Sequence, residues 1–264
     1  MTIKPPPRLA LDGEAVLKEA ADRLGRAGQV SHPARRDFLR RSLTLGGLSM
    51  LTGCALVDEE SVDAALMRIS RMNDDVQGWL FNPNRLAPTY PDSMITRPFP
   101  FNAYYSESEV VEVDGSSYSL ELGGMIRSRK PWTLAELYAL PQVSQVTRHI
   151  CVEGWSAIGK WSGVRFSDFL ARVGADTTAK YVGFQCADDY YGSIDMATAL
   201  HPQTIIALRY GDEILPPKYG YPMKLRVPTK LGFKNPEHIT AMFVTNEYPG
   251  GYWEDKGYNW FSGS

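Results

Sequence analysis

The chain is poor in the residues that usually announce a metal centre or a disulfide scaffold, with 3 cysteines and 4 histidines among 264 residues. His32, His149, His201 and His238 are scattered, and Cys54, Cys151 and Cys186 are far apart, so no cluster at zinc-ligand spacing forms and a cysteine-framed mini-domain is excluded. No apolar run reaches the roughly 20 residues that a transmembrane helix needs. Neither charge is in surplus: the formal net charge is -2. No basic face is therefore available to neutralise many phosphates, which argues against nucleic acid as a partner. G-x-S-x-G, H-E-x-x-H, the P-loop and G-x-G-x-x-G are all missing, which removes the common hydrolase and nucleotide-binding signatures.

What is present is ordinary globular composition, 44% apolar and 22% charged, enough for one sizeable core. The segment "ARRDFLRRSLTLGGLSMLTGCALV", residues 34–57, departs from it. Arg35 and Arg36, then Phe38 and Leu39, precede a weakly apolar run too short to span a bilayer but suited to the h-region of an export signal. The paired arginines resemble the twin-arginine signal, which implies export of a protein already folded around a cofactor. Leu51-Thr52-Gly53-Cys54 resembles a lipobox, whose cysteine is acylated and becomes the new N-terminus. The alternative is a basic amphipathic helix followed by a short core helix. The expected organisation is an export signal over residues 1–53, a tethering helix and linker over 54–96, and the main folded domain over 97–264. The expected location is the periplasm, with Cys54 as a membrane anchor.

Along the mature chain, Val62, Leu66, Ile69, Val76 and Trp79 recur at helical spacing. Five prolines between Phe81 and Tyr105 forbid a long regular element there. Residues 117–126 alternate as a strand, and Thr133 with Glu136 forms a capping-box pattern opening a short helix. "VSQVTRHICVEG" reads as a strand whose period of two places His149, Cys151 and Glu153 on one face. Phe166, Phe169, Leu170 and Val173 make a helix face closed by Gly174. Residues 180–187, two runs around Gly211-Asp212, and residues 238–248 alternate again. Strands outnumber helices without a regular βα alternation, so the expected fold class is α+β, mixed, with antiparallel-biased sheets and short helices.

The thiol at Cys151 could be half of a disulfide with Cys186, a nucleophile paired with His201, a metal ligand or a small core residue. The local sequence lacks the papain-type signature. A single thiolate suits a soft transition metal whose other sulfur ligands come from an organic cofactor. The blocks "CVEGWS", "W-x-G-V", "KYVGF", "ALHPQTI", "LPPKYGYPMKLRVPTKLGFK" and "GYWE", in that order, resemble the molybdopterin domain of the sulfite oxidase family, and within it the sulfoxide-reducing members.

The resemblance implies a Mo-molybdopterin cofactor with Cys151 as the single protein ligand to the metal. It implies that Asn102, Tyr105 and Ser106 hold the pterin, that Cys186 stands in its pocket, that Lys224 contacts its phosphate, and that Asn235, Pro236 and Glu237 close on it. The implied activity is two-electron sulfoxide reduction fed by a membrane haem partner. Sulfite oxidation, or a non-catalytic lipoprotein with a Cys151–Cys186 disulfide, are the rivals. On its strand, Glu153 would face the metal and, with its pKa raised by burial, could supply a proton; bracing the loop is the other role open to it, and His149 is a second candidate donor. Without the resemblance, Lys224, Arg226, Lys230 and Lys234 would read as a solvated strand face.

Overall fold

The computed structural model describes residues 59–80, 82 and 85–263. The expected export signal and Cys54 lie outside the described residues. The chain divides into two units at Ala65 and Leu66, and the second contains everything described below except the first turns of one helix.

Helix α1 runs Glu59–Leu80. Ten strands follow: β1 Ser119–Gly124, β2 Trp132–Thr133, β3 Gln142–Ile150, β4 Ser156–Arg165, β5 Tyr181–Cys186, β6 Tyr191–Asp195, β7 Ile205–Tyr210, β8 Glu213–Ile214, β9 Lys224–Arg226 and β10 Ile239–Thr245. Between them lie three short helices, α2 Leu134–Tyr138, α3 Phe166–Val173 and α4 Met196–Ala199. The strands build two sheets, one in the order β2-β1-β10-β5-β6 and the other β3-β4-β7-β8, with β9 also paired to β7. Only β1 and β10 run parallel; all other named strand pairs are antiparallel. The α+β expectation with an antiparallel bias is met.

Local chemistry explains the elements that the sequence signals. Thr133 Oγ1 accepts from Glu136 N–H at 3.3 Å while Glu136 Oε2 accepts from Thr133 N–H at 2.9 Å, the reciprocal cap that opens α2. Phe166, Phe169, Leu170 and Val173 are buried on one face of α3, and Gly174, at φ 66, ends it in the left-handed conformation that a Cβ would oppose. Each of those fully buried side chains contributes about 2 kcal/mol of transfer free energy. Strand β7 shows the period of two: Ile206 and Leu208 enter the main core, while Ile205 and Ala207 enter a smaller aromatic cluster with Phe99, Trp161 and Tyr219.

Two expectations are corrected, and one strand was not anticipated. Strand β3 stops at Ile150, so Cys151 and Glu153 sit in a hairpin loop rather than on a strand face. Cys151 N–H donates to Trp155 O at 2.9 Å, and Gly154, at φ 92, turns the chain back into β4. Strand β4 itself has no clear signal in the sequence. Its small residues hide the alternation, and Gly163 is needed because a Cβ there would stand 1.8 Å from Ile206 O of the neighbouring strand. Finally, Lys224, Arg226, Lys230 and Lys234 are buried, not a solvated face. With Leu225 pointing into the main core, alternation along β9 sends Lys224 and Arg226 together to the opposite side.

Candidate active site

Four segments converge on one pocket with an empty volume of about 790 Å³. The β3–β4 loop brings Cys151, Val152 and Glu153, and the β5–β6 hairpin brings Asp188 and Tyr190. The turn after β9 brings Gly232, Phe233, Asn235, Pro236 and Glu237, and the proline-punctuated linker brings residues 101–105. Trp253 and Tyr258 complete the wall.

The segments are stitched together by buried polar groups. Tyr105 Oη donates to Asp188 Oδ2 at 3.0 Å, and the Tyr104 hydroxyl donates to the Asp188 carbonyl, tying the linker to the β5–β6 hairpin. Burial, then the nearby Asp188 charge, pushes the Tyr104 phenol up to about 12 and Tyr105 further. Tyr190 Oη donates to Phe233 O at 2.6 Å, joining that hairpin to the 232–237 turn. Asn235 Oδ1 accepts from Arg226 Nη1 at 2.9 Å and Val227 N–H at 2.7 Å. Arg226 Nη2 donates onward to Arg148 O at 2.6 Å, so one guanidinium connects the end of β3 to the turn. Lys224 is paired with Glu237 and Lys234 with Glu254.

The Cys151 thiol is 8% exposed and free, as is Cys186. No disulfide joins them. Cys151 Sγ donates to Glu153 Oε2 at 3.8 Å, and the same oxygen accepts from Trp155 Nε1 at 3.2 Å. Burial raises the Cys151 pKa, with the Glu153 carboxylate adding to it. Glu153 is solvent-exposed, contrary to the expected burial.

Of the residues singled out in the sequence, Asn102, Tyr105, Cys151, Glu153, Asn235, Pro236 and Glu237 line the pocket. Four do not. Ser106 faces solvent, where it caps a short turn by donating to Glu109 Oε2 at 2.6 Å. Cys186 packs in the main core at the end of β5, where burial raises its pKa strongly. Lys224 is buried over the Trp161 ring and spent on Glu237. His149 is buried behind Gly232, stacked on Trp155 at 5.6 Å, with neither ring nitrogen hydrogen-bonded among the described residues. A Cβ on Gly232 would stand 2.5 Å from His149 Nε2, so the pocket wall between them is a single glycine thick. Burial, then Arg226 and Lys224, holds this imidazole neutral, its pKa far below the usual value. His201 does not line the pocket with Cys151; its Nε2 lies 3.1 Å from Arg85 O and its Nδ1 accepts from Gln203 N–H.

Tyr104, Asp188, Tyr190 and Gly232 are site residues that the sequence reading did not select. The doublet Asp188-Asp189, with Asp189 at φ 63, is a turn signal that could have pointed to the first of them. No group of three or more His, Cys, Asp or Glu able to hold a metal occurs among the described residues.

A family model described as the oxidoreductase molybdopterin binding domain matches residues 107–253, more than half of the chain. A relative in Azospira oryzae, provisionally named protein-methionine-sulfoxide reductase subunit YedZ1, is 67% identical over 96% of both chains. The protein-methionine-sulfoxide reductase catalytic subunit MsrP of Xanthomonas axonopodis pv. citri is 29% identical, over 53% of this chain and 48% of its own. Among solved structures, the sulfane dehydrogenase SoxCD of Paracoccus pantotrophus aligns with a TM-score of 0.49 and 18% identity, over 52% of this chain and 40% of that one. The blocks of the sulfite oxidase type read in the sequence and the pocket built from them therefore have one source: the chain is a member of the oxidoreductase molybdopterin-binding domain family.

Proposed function

We propose that this chain is an exported molybdenum enzyme that reduces a sulfoxide, with Cys151 as the protein ligand to a Mo-molybdopterin cofactor. The pocket's own chemistry fits that group. It offers one free thiol at its inner end, amide and phenol groups from Asn102, Tyr105 and Asn235 for a polar heterocycle, and no competing metal cluster among the described residues. The raised thiol pKa is no obstacle, because coordination to a metal deprotonates a thiol outright. When bound, the cofactor supplies a metal that exchanges an oxygen atom together with two electrons.

The observation that carries the substrate class is electrostatic. Glu153 and Asp188 line the pocket without a cationic partner among the described residues, while Lys224 and Lys234 are each paired with a carboxylate. The Glu153 carboxylate beside the thiol disfavours an anion such as sulfite there and tolerates a neutral sulfoxide, whose methyl and methylene groups suit Phe101, Phe233 and Trp253. Reducing a sulfoxide to a thioether and water consumes two protons. Glu153, at the mouth with Oε2 3.8 Å from Cys151 Sγ and oriented by the Trp155 indole, is the carboxyl placed to hold one of them.

The electrons come from a partner, for which a membrane haem protein is the reading that the sequence resemblance supports. Export through the twin-arginine route and acylation of Cys54 would place the enzyme in the periplasm beside that partner. The test is a paired assay on purified, metal-loaded protein with an artificial electron donor or acceptor. Methionine sulfoxide reduction without sulfite oxidation is the expected result; sulfite turnover alone would reverse the assignment.

A further inference from the structure

Helix α1 meets the rest of its unit with its polar side. Asp74 is buried, and its Oδ1 accepts from Asn259 Nδ2 at 2.6 Å and Phe261 N–H at 3.0 Å. On the same side the Arg71 guanidinium lies 4.8 Å over the Tyr248 ring, and Gly78 abuts Phe261. The opposite side is apolar. At 3.6 residues per turn, Ile69, Met72, Val76, Trp79 and Leu80 fall within an arc of about 100°, flanked by Arg68 and Asn73. All five are exposed, Trp79 at 83% and Met72 at 61%. A helix on a globular surface ordinarily does the reverse, burying its apolar stripe. A contiguous apolar stripe turned outward marks a surface that meets something apolar.

We infer that this stripe lies on a lipid bilayer, with α1 in the plane of the membrane surface. The inference leans on the proposed acylation of Cys54, which precedes Glu59 by five residues. A stretch of that length spans at most about 18 Å, so an acyl chain on Cys54 would hold the start of α1 at the bilayer. The helix is not long and apolar enough to cross a membrane. Lying flat is the mode that remains, in which an amphipathic helix sinks its apolar face about 5–10 Å into the headgroup boundary. Trp79 stands near the end of the stripe, where an indole's apolar body and polar N–H suit headgroup depth. Helix and acyl chain together give the two contacts that stable surface attachment requires.

The experiment uses the full exported chain reconstituted with phosphatidylethanolamine and phosphatidylglycerol vesicles carrying brominated acyl chains. Trp79→Phe isolates the fluorescence of Trp79 from that of the other tryptophans. Quenching of Trp79 is expected. The exposed-face variant Ile69→Glu/Val76→Glu should remain vesicle-bound through its acyl chain yet lose that quenching. Vesicle-bound protein with an unquenched Trp79 overturns the inference. Intact mass tests the anchor separately. If Cys54 carries no acyl group the anchor reading fails, and the stripe is tested on the same protein with excess vesicles, where quenching is still expected and its absence overturns the inference. Shielding of Trp79 that needs no lipid and grows with protein concentration would indicate a second copy on the stripe, and overturns it equally.

Discussion

The two sheets bury polarity in opposite ways. In the sheet β2-β1-β10-β5-β6, the buried Ser193 hydroxyl donates to Gly250 O at 2.5 Å and accepts from Trp260 Nε1 at 2.8 Å, and no strand carries a buried side-chain polar atom without a partner. The other sheet leaves such atoms at His149 on β3, Trp161 on β4 and Arg226 on β9, with Thr229 just beyond β9. A buried unpartnered donor or acceptor costs about 1–3 kcal/mol, so a fold concentrates them only where something offsets the loss. Here they lie on strands of the sheet that carries the Cys151 loop and the 232–237 turn, His149 and Arg226 nearest to them. Both sheets contribute to the pocket, the first through the β5–β6 hairpin and the second through the β3–β4 loop and the turn after β9, but the unpartnered strand atoms lie only on the second.

That contrast is breakable, and the strongest test is Cys151→Ser. Sulfoxide turnover should fall about 1,000-fold or more, the scale of removing a group on which the reaction depends. Thermal stability should stay near wild type, and a variant that kept turnover would remove Cys151 from the centre of the account. Next, Lys224→Met leaves Glu237 with an unpaired, nearly buried charge. A loss of about 3 kcal/mol in denaturant unfolding is expected, with cofactor content falling as well, because the pair braces the pocket wall.

Glu153→Gln follows. If the carboxyl delivers a proton, kcat should drop about 100-fold with metal content unchanged. Loss of metal instead would make Glu153 a brace for the loop. On the first sheet, Cys186 predicts a pH effect on stability alone. Its thiol is held protonated by burial, its pKa well above the ordinary 9.0, with Asp188 contributing. The folded state therefore keeps a proton that the unfolded state releases, and stability is intact below about pH 9 and declines above it. Cys186→Ala should flatten that alkaline decline in unfolding measured between pH 8 and 10. The smallest effect is expected from Thr133→Ala, which removes the α2 cap at a cost of about 1 kcal/mol with turnover unchanged.

The same contrast explains how much could be read from the sequence. The first sheet and α3 were legible because burial there follows simple periods: alternation in β1, where Leu120 and Leu122 are buried and Glu121 is exposed, the Phe166, Phe169, Leu170, Val173 face of α3, and, opening the neighbouring α2, the Thr133–Glu136 cap. The second sheet was not. Strand β4 hides behind Gly159 and Gly163, whose absent side chains make room for Trp161 and for the backbone of β7. Lysine and arginine on β9 look solvated until Glu237, Asn235 and Trp161 are brought to them by residues distant in sequence. Cys151 and Glu153 were rightly placed side by side, but through a hairpin turn fixed by Gly154 rather than by strand alternation. Tyr104 and Asp188 could not be found from spacing at all, since 84 residues separate partners that meet only in the fold.

The most direct test of the central claim is the metal itself. Wild-type chain exported from a host with an intact twin-arginine pathway should contain molybdenum and pterin in equal amounts, one of each per chain. X-ray absorption at the molybdenum edge should then show one fewer sulfur scatterer in Cys151→Ser than in wild type. Wild-type protein free of molybdenum, or a sulfur count unchanged by the substitution, would contradict the assignment of Cys151 as the ligand around which this pocket is built.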